Sequence, residues 1–278
     1  MADFHGERMI REIDRNTFSW MGDFGVRGQG PVEFIGPILT WEVGEKLFVF
    51  DRRGFSVGYY DTAIPDTLST YKYRELFHVD NTINTIVSLG QNFYLAAGFF
   101  EQGRYALLDS LGQEIHYFAA YPEFKEGEDR IPYDAKAMFH QVGFAANYDN
   151  TRIAALSRHV LDIIDLSNDK PVILSRVKLA DYAYDFQSGN IVKTDLKNGF
   201  VRGARSVTGC RQFVYVLFNP NIKGDERGKY NLEIWVFDWD GQLIGKNKVF
   251  CDLDLIKAVD CSKLFGITMD LDFVFLEF

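Results

Sequence analysis

The sequence predicts an all-β protein built from repeated four-stranded units, the blade of a β-propeller. Three observations carry this. First, short apolar runs alternate with turn signals along almost the whole chain, and helical periodicity is nearly absent. Second, aromatic residues make up 15% of the 278 positions, with 25 Phe and 14 Tyr, a composition suited to half-buried strands. Third, one hairpin pattern recurs: an apolar run, an Asp entering a turn, and a second run leaving it.

The recurring hairpins are KLFVF at 46–50 into FSVGYY at 55–60, RYALL at 104–108 into QEIHYF at 113–118, VLDII at 160–164 into PVIL at 171–174, and LEIWVF at 232–237 into QLIG at 242–245. Their turns begin at Asp51, Asp109, Asp165 and Asp238. Asp suits that position because its carboxylate caps backbone N–H groups two or three residues on. The spacing between successive aspartates marks a repeat architecture. Before the last three hairpins lie second-strand runs at 92–97, 152–156 and 212–218, and before those, first-strand runs at 83–89, 138–146 and 200–208. Four strands per repeat gives the blade, with the polar fourth run outermost.

The ends are irregular. Three runs, 255–260, 263–269 and 272–278, finish the chain, and two, 8–13 and 17–24, begin it. Phe18, Trp20, Met21 and Phe24 are too apolar for a free tail, and 272–278 would be an apolar edge if left uncovered. The expectation is therefore a ring of five blades in a single domain, 1–278, closed by pairing of the N- and C-terminal strands, with Trp20 buried at the joint. The segments 119–137, 181–199 and 219–230 are long, polar connections, read as surface insertions where function is usually seated.

Composition excludes several classes. With 25% charged residues and 47% hydrophobic, the chain is globular. A net charge of −9 and the lack of any Lys/Arg-rich run argue against nucleic acid as a partner. No apolar run reaches about 18 residues, so no transmembrane segment is expected. Arg8, Arg11 and Arg15 precede no apolar h-region, so no signal peptide is present in this sequence.

Motifs for chemistry are sparse. Gly25-x-x-Gly28-x-Gly30 leads through Pro31 into a strand and not a helix, which makes it a turn and not a phosphate loop. Asn219-x-Asn221-x-Lys223 puts a lysine where a calcium loop needs an oxygen ligand. His5, His78, His116, His140 and His159 lie far apart, and neither H-E-x-x-H nor G-x-S-x-G occurs. Cys210, Cys251 and Cys261 form no C-x-x-C pair and read as three thiols, with a Cys251–Cys261 disulfide as the alternative if their strands approach. No catalytic residue, metal ligand set or cofactor is assigned. Polar residues near first strands are the binding candidates, because first strands converge on a propeller's channel: Glu33, Asn84, His140, Arg202, Arg205 and Lys257.

Gly28-x-Gly30-Pro31-x-Glu33-Phe34, set between two strands, resembles a motif of the six-bladed, TolB-like β-propellers found among secreted lipoproteins of Bacteroides-type bacteria. Lys263-Leu264-Phe265-Gly266-Ile267 is similar to that family's final inner strand. The resemblance implies six blades where five are counted, with blade one beginning upstream of Met1. It also implies an extracytoplasmic protein, in the periplasm or at the cell surface, whose lipid anchor would sit on that upstream segment. The expected function is non-enzymatic: a monomeric binding or scaffold propeller for a protein, peptide or glycan ligand at the channel mouth. The alternative is a metal-dependent hydrolase or lyase like the lactonase-like propellers, with Glu33, Asn84 and Asp260 as channel ligands.

Overall fold

The structure, a computed structural model, describes all residues except 1–6, 15, 16, 18, 31, 37, 64–70, 91, 92, 169, 182, 183, 188–190, 195–200, 223–230, 269, 271 and 278, and the backbone alone at 184–187 and 191–194. The protein is all-β. Its helix amounts to a 3₁₀ turn at Glu128–Arg130 and one short helix, α1 (Tyr133–Phe139).

In chain order the strands are β1 (Arg8–Ile13), β2 (Trp20–Val26), β3 (Ile38–Val43), β4 (Lys46–Asp51), β5 (Ser56–Asp61), β6 (Tyr73–His78), β7 (Ile83–Gly90), β8 (Phe93–Gly98), β9 (Tyr105–Leu108) and β10 (Glu114–Phe118). After α1 come β11 (Gly143–Ala146), β12 (Arg152–Ser157), β13 (Val160–Asp165), β14 (Val172–Lys178), β15 (Tyr184–Gln187), β16 (Ile191–Thr194), β17 (Val201–Gly209), β18 (Phe213–Ile222), β19 (Leu232–Asp238), β20 (Leu243–Val249), β21 (Leu253–Ala258), β22 (Lys263–Thr268) and β23 (Phe273–Glu277). Four sheets are complete antiparallel meanders, β3–β6, β7–β10, β11–β14 and β17–β20, and a fifth, β21–β23, has three strands. These are the blades of a propeller.

The chain forms two compact units. One comprises Met1–Gly98 and Tyr105–Tyr117, the other Phe99–Arg104 and Phe118–Phe278. In the second unit the blade plan is legible residue by residue. Along β18, Val214, Val216 and Phe218 enter one core with Ala154, Leu156, Leu161, Ile163, Trp235 and Phe237. The alternate residues Tyr215 and Leu217 enter another core with Leu232, Ile234, Leu253, Ile256 and Leu264. Side chains alternate across a strand, so a strand buried on both faces must be apolar at nearly every position. That explains the uninterrupted runs in second and third strands. The fourth strands stand at sheet edges and stay polar, as in β20, where Leu243, Ile244 and Lys246–Lys248 are exposed or half-buried.

The anchoring aspartates are turn caps. The carboxylate of Asp109 accepts the N–H groups of Leu111 and Gln113, and that of Asp238 those of Asp240 and Gln242. Asp165 caps Ser167 through both its N–H and its hydroxyl. Asp51 differs from the expected plan: its turn joins the second and third strands of its blade, β4 and β5, whereas the others join third to fourth. Buried to 1% exposure, it accepts four backbone N–H groups, from Ile35, Gly36, Arg53 and Gly54, and so ties the entry to β3 onto its own hairpin.

Other expectations are corrected. The run 138–146 is not one strand: α1 occupies 133–139 and β11 begins at Gly143. Part of the expected insertion 181–199 is the hairpin β15–β16. Most of the loop 219–230 lies outside the described residues. Within their own sheets β1 pairs with β2, and β23 with β22. The N-terminal sheet buries Met9, Ile10 and Phe24 in the first unit against Phe34, Ile38, Val49 and Tyr60. Trp20 is 65% exposed and donates its indole N–H to Asp23, so the buried indole expected there is not found.

The cysteines are also corrected. Cys210, after β17, and Cys261, after β21, form a disulfide with Cα atoms 5.4 Å apart, and Cys251 is the free thiol. The two turns are brought together because β17 and β21 run alongside each other. Ser206 Oγ accepts the Ile256 N–H, and Thr208 Oγ1 accepts the Ala258 N–H.

Candidate functional site

The six predicted binding residues divide between the two units, Glu33 and Asn84 in the first and His140, Arg202, Arg205 and Lys257 in the second. Glu33 precedes β3 and belongs to a turn. Its carboxylate folds back to accept the Gly30 N–H at 2.7 Å, while the Glu33 N–H donates to the Gly30 carbonyl. A Cβ on Gly28 would stand 1.9 Å from Glu33 Oε2, so the first glycine leaves the space the carboxylate fills. The next residue, Phe34, is buried and meets the Tyr73 ring edge-on at 5.2 Å. The motif thus has a physical content: two glycines and a glutamate fold the turn, and the phenylalanine anchors it. Gly28→Ala and Glu33→Ala are each expected to cost roughly 1 kcal/mol, the worth of one capping hydrogen bond. Because both remove the same bond, the double variant should cost about as much as either single one in urea denaturation. Additive losses would show that Gly28 serves another purpose.

Asn84 lies on the first strand β7, where its side-chain oxygen accepts from Arg52 at 3.4 Å. His140 is not on a strand. It follows α1, is 7% exposed, and sits in a polar cluster that sequence inspection missed. At the centre of that cluster is Asp162, fully buried on β13. One carboxylate oxygen accepts Arg104 Nη1 at 2.8 Å and Arg176 Nη2 at 3.0 Å, and the other accepts Arg176 Nε at 2.8 Å. Arg104 also donates to Ser157 Oγ, and Arg176 to the Ala120 carbonyl. One carboxylate thus joins two guanidinium groups, that of Arg104 fully buried. Burial first, and then the charges of Arg104 and Arg176, push the His140 imidazole down to about 2. Burial likewise lowers His159 to about 4, against a hydrogen bond from its Nε2 to the Val201 carbonyl. Both rings are therefore neutral near pH 7. The sequence signal was an aspartate in the middle of the apolar run VLDII, where a charge needs buried partners.

Arg202, Arg205 and Lys257 are the candidates that lie on one pair of adjacent first strands, β17 and β21. Arg205 is committed to structure: its Nη1 donates to Asp252 at 3.0 Å and to the Leu253 carbonyl at 2.7 Å. Arg202 is half-buried on β17 and Lys257 is exposed on β21. This pair of strands, fixed by Ser206, Thr208, Arg205 and the disulfide, is a rigid platform carrying basic side chains. Each proposed metal ligand makes a bond of its own: Glu33 caps Gly30, Asn84 accepts from Arg52, and Asp260 caps Ser262. Among the described residues no group of three His, Cys, Asp or Glu side chains is placed to hold a metal ion.

A family model described as TolB-like 6-blade propeller-like matches residues 1–253. The chain belongs to this TolB-like propeller family. Its solved relatives in shape are distant. The first is a candidate exported protein from Bacteroides fragilis, with a TM-score of 0.53 at 14% identity over 91% of this chain and 72% of that one. The WD40 domain of Pan2 from Neurospora crassa follows at TM-score 0.44 and 8% identity, over 83% of this chain and 58% of that one. BamB from Moraxella catarrhalis gives 0.42 and 13%, over 96% and 78%. At such identities the first likeness speaks to the fold alone, and the other two carry no argument. No curated protein matches the chain. Apart from the β15–β16 hairpin, the described residues of this TolB-like chain hold six sheets in sequence: β1–β2, β3–β6, β7–β10, β11–β14, β17–β20 and β21–β23. Five of these are blades of three or four strands, the number counted from the sequence, while the family is described as six-bladed. No helix among the described residues is long and apolar enough to cross a membrane.

Proposed function

We propose that this protein is a non-enzymatic, extracytoplasmic propeller of a single domain that binds a protein, peptide or glycan through the first-strand platform of β17 and β21. One observation carries the reading: of the polar residues near first strands, Arg202 and Lys257 lie on one pair of adjacent strands held by the Ser206 and Thr208 bonds, whereas Glu33, Asn84 and Arg205 make bonds that hold the fold and His140 is buried. Rigid elements presenting a few charged side chains suit recognition of an anionic group. The Cys210–Cys261 disulfide supports an oxidising compartment, since such bonds persist outside the cytosol. Lipid anchoring and a monomeric state belong to the same reading.

The test is binding of the full chain to panels of acidic peptides and of anionic glycans, repeated with Arg202→Glu and Lys257→Glu. Each reversal is expected to weaken binding at least tenfold while leaving the melting temperature unchanged. Binding that survives both changes would move the site elsewhere. Ester or lactone hydrolysis that depends on an added divalent cation would favour the lactonase-like alternative.

A further inference from the structure

The hairpin turns of this chain share one device, and one of them builds it with a sulfur. Asp109 and Asp238 each accept the N–H of the residue two positions on, and Asp51 accepts those of the residues two and three on. In the turn from β17 to β18, Cys210 takes that place. Its Sγ accepts the N–H of Gln212 at 3.4 Å and that of Phe213 at 3.3 Å. A seat that elsewhere holds a carboxylate oxygen thus holds one sulfur of the Cys210–Cys261 disulfide. The turn from β21 to β22 keeps an aspartate as its cap. Asp260 accepts the Ser262 N–H at 2.7 Å and the Ser262 hydroxyl at 2.8 Å, one residue either side of Cys261. The two sulfurs are therefore unequal. A thiolate on Cys210 is received by two backbone N–H groups, with the exposed cation Arg211 next to it in the chain. A thiolate on Cys261 forms next to the Asp260 carboxylate, while the nearby Lys263 pairs with Glu277.

The backbone around the bond is held without it. Trp239 Nε1 donates to the Cys210 carbonyl at 3.0 Å, and the Tyr215 hydroxyl donates to the Cys261 carbonyl at 2.7 Å. Arg205, Ser206 and Thr208 join β17 to β21 through bonds of their own. Opening the disulfide thus leaves the two cysteines facing each other. Both are half-buried between exposed neighbours, Arg211 and Gln212 after one, Asp260 and Ser262 around the other. We propose that Cys210–Cys261 is an exchangeable disulfide, opened by a dithiol with Cys210 as the leaving sulfur. A thiolate of the dithiol attacks Cys261 Sγ and forms a mixed disulfide. The Cys210–Cys261 bond breaks, and its electron pair leaves on Cys210 Sγ, where the Gln212 and Phe213 N–H groups stabilise it. The dithiol's second thiolate then attacks its own sulfur in the mixed disulfide and releases Cys261, which takes up a proton. Two electrons pass to the cysteine pair, and the dithiol becomes a disulfide. Cys251, the remaining thiol, is a poor competitor, because burial and then Asp252 push it up.

The first test uses the unaltered, oxidised full chain. It is exposed briefly to 2-mercaptoethanol, quenched with N-ethylmaleimide and read by peptide mass spectrometry. The mercaptoethanol adduct is expected on Cys261 and the maleimide on Cys210, in roughly tenfold or greater excess over the reverse pattern. Dithiothreitol should open the bond while the far-UV spectrum and a cooperative melt are retained. A second measurement isolates each thiol in a Cys251→Ser background. Alkylation of Cys210 by iodoacetamide in Cys261→Ser should show a pH midpoint about one unit or more below that of Cys261 in Cys210→Ser. If those variants fail to fold, the adduct map of the unaltered chain decides. The proposal is overturned if the adduct falls on Cys210 or equally on both cysteines, or if the two midpoints coincide. It is also overturned if dithiothreitol opens the bond only as the chain unfolds, which would make the disulfide purely structural. None of these readouts uses a ligand of the β17–β21 platform, so they stand apart from the binding proposal.

Discussion

Asp162→Ala is expected to destabilise the protein by roughly 3–5 kcal/mol, the cost of breaking a buried ion pair from one side. The carboxylate is wholly buried and accepts three hydrogen bonds, one from Arg104 and two from Arg176. Without it, the Arg104 guanidinium, whose side chain is 1% exposed, loses its counter-charge inside the protein. The desolvation already incurred by that charge would then lack the carboxylate that offsets it. Arg176 is less confined, at 25% side-chain exposure, and can turn toward water. Replacing both Arg104 and Asp162 by apolar residues of similar volume should therefore recover much of the loss. Urea denaturation of these two variants beside the unchanged chain gives the comparison. A loss below about 1 kcal/mol for Asp162→Ala, a value usual for exposed pairs, would show that water reaches this cluster.

Acid should unfold the protein well above the carboxylate range. An unfolded histidine titrates near 6.5. In the folded chain His140 is held down at about 2 and His159 at about 4. Above the unfolded value neither state carries these protons and the full stability is present. As pH falls below it, the unfolded chain binds two protons that the folded chain refuses, so stability drops by roughly 1.4 kcal/mol per pH unit for each histidine. Between pH 6.5 and about 4.5 the two together should remove on the order of 5 kcal/mol. His159→Gln should halve the slope over that range. A denaturation midpoint that stays level from pH 7 to pH 5 would mean that both rings accept protons in the folded state.

The repeat was legible because it rests on chemistry local to each hairpin. Asp109, Asp165 and Asp238 cap their own turns, and the paired faces of strands such as β18 require unbroken apolar runs. The Gly28–Phe34 motif was legible for the same reason, since its glutamate bonds a residue three positions away. What could not be read was what depends on partners distant in sequence. Asp162 and Arg104 meet across 58 positions, and Cys210 and Cys261 across 51. Nothing in the run AMFHQVGFAA marks where α1 stops and β11 starts. Asp51 misled the repeat count because an Asp-Gly turn looks the same at either hairpin of a blade. Of the six candidate site residues, Glu33, Asn84 and Arg205 have polar partners in the fold, and the proposed site rests on Arg202 and Lys257. Their neighbours on β17 and β21 satisfy the backbone instead, through Ser206 and Thr208.

The central claim is that ligand binding belongs to the first strands β17 and β21. Hydrogen exchange of the full chain, with and without a bound acidic peptide or anionic glycan, tests it most directly. The account predicts added protection at residues 201–209 and 253–258, with β12, β13 and the Arg104–Asp162 cluster unchanged. Protection confined to the far end of β18, at 219–222, with none on β17 or β21, would contradict it and put the site on the loop that follows.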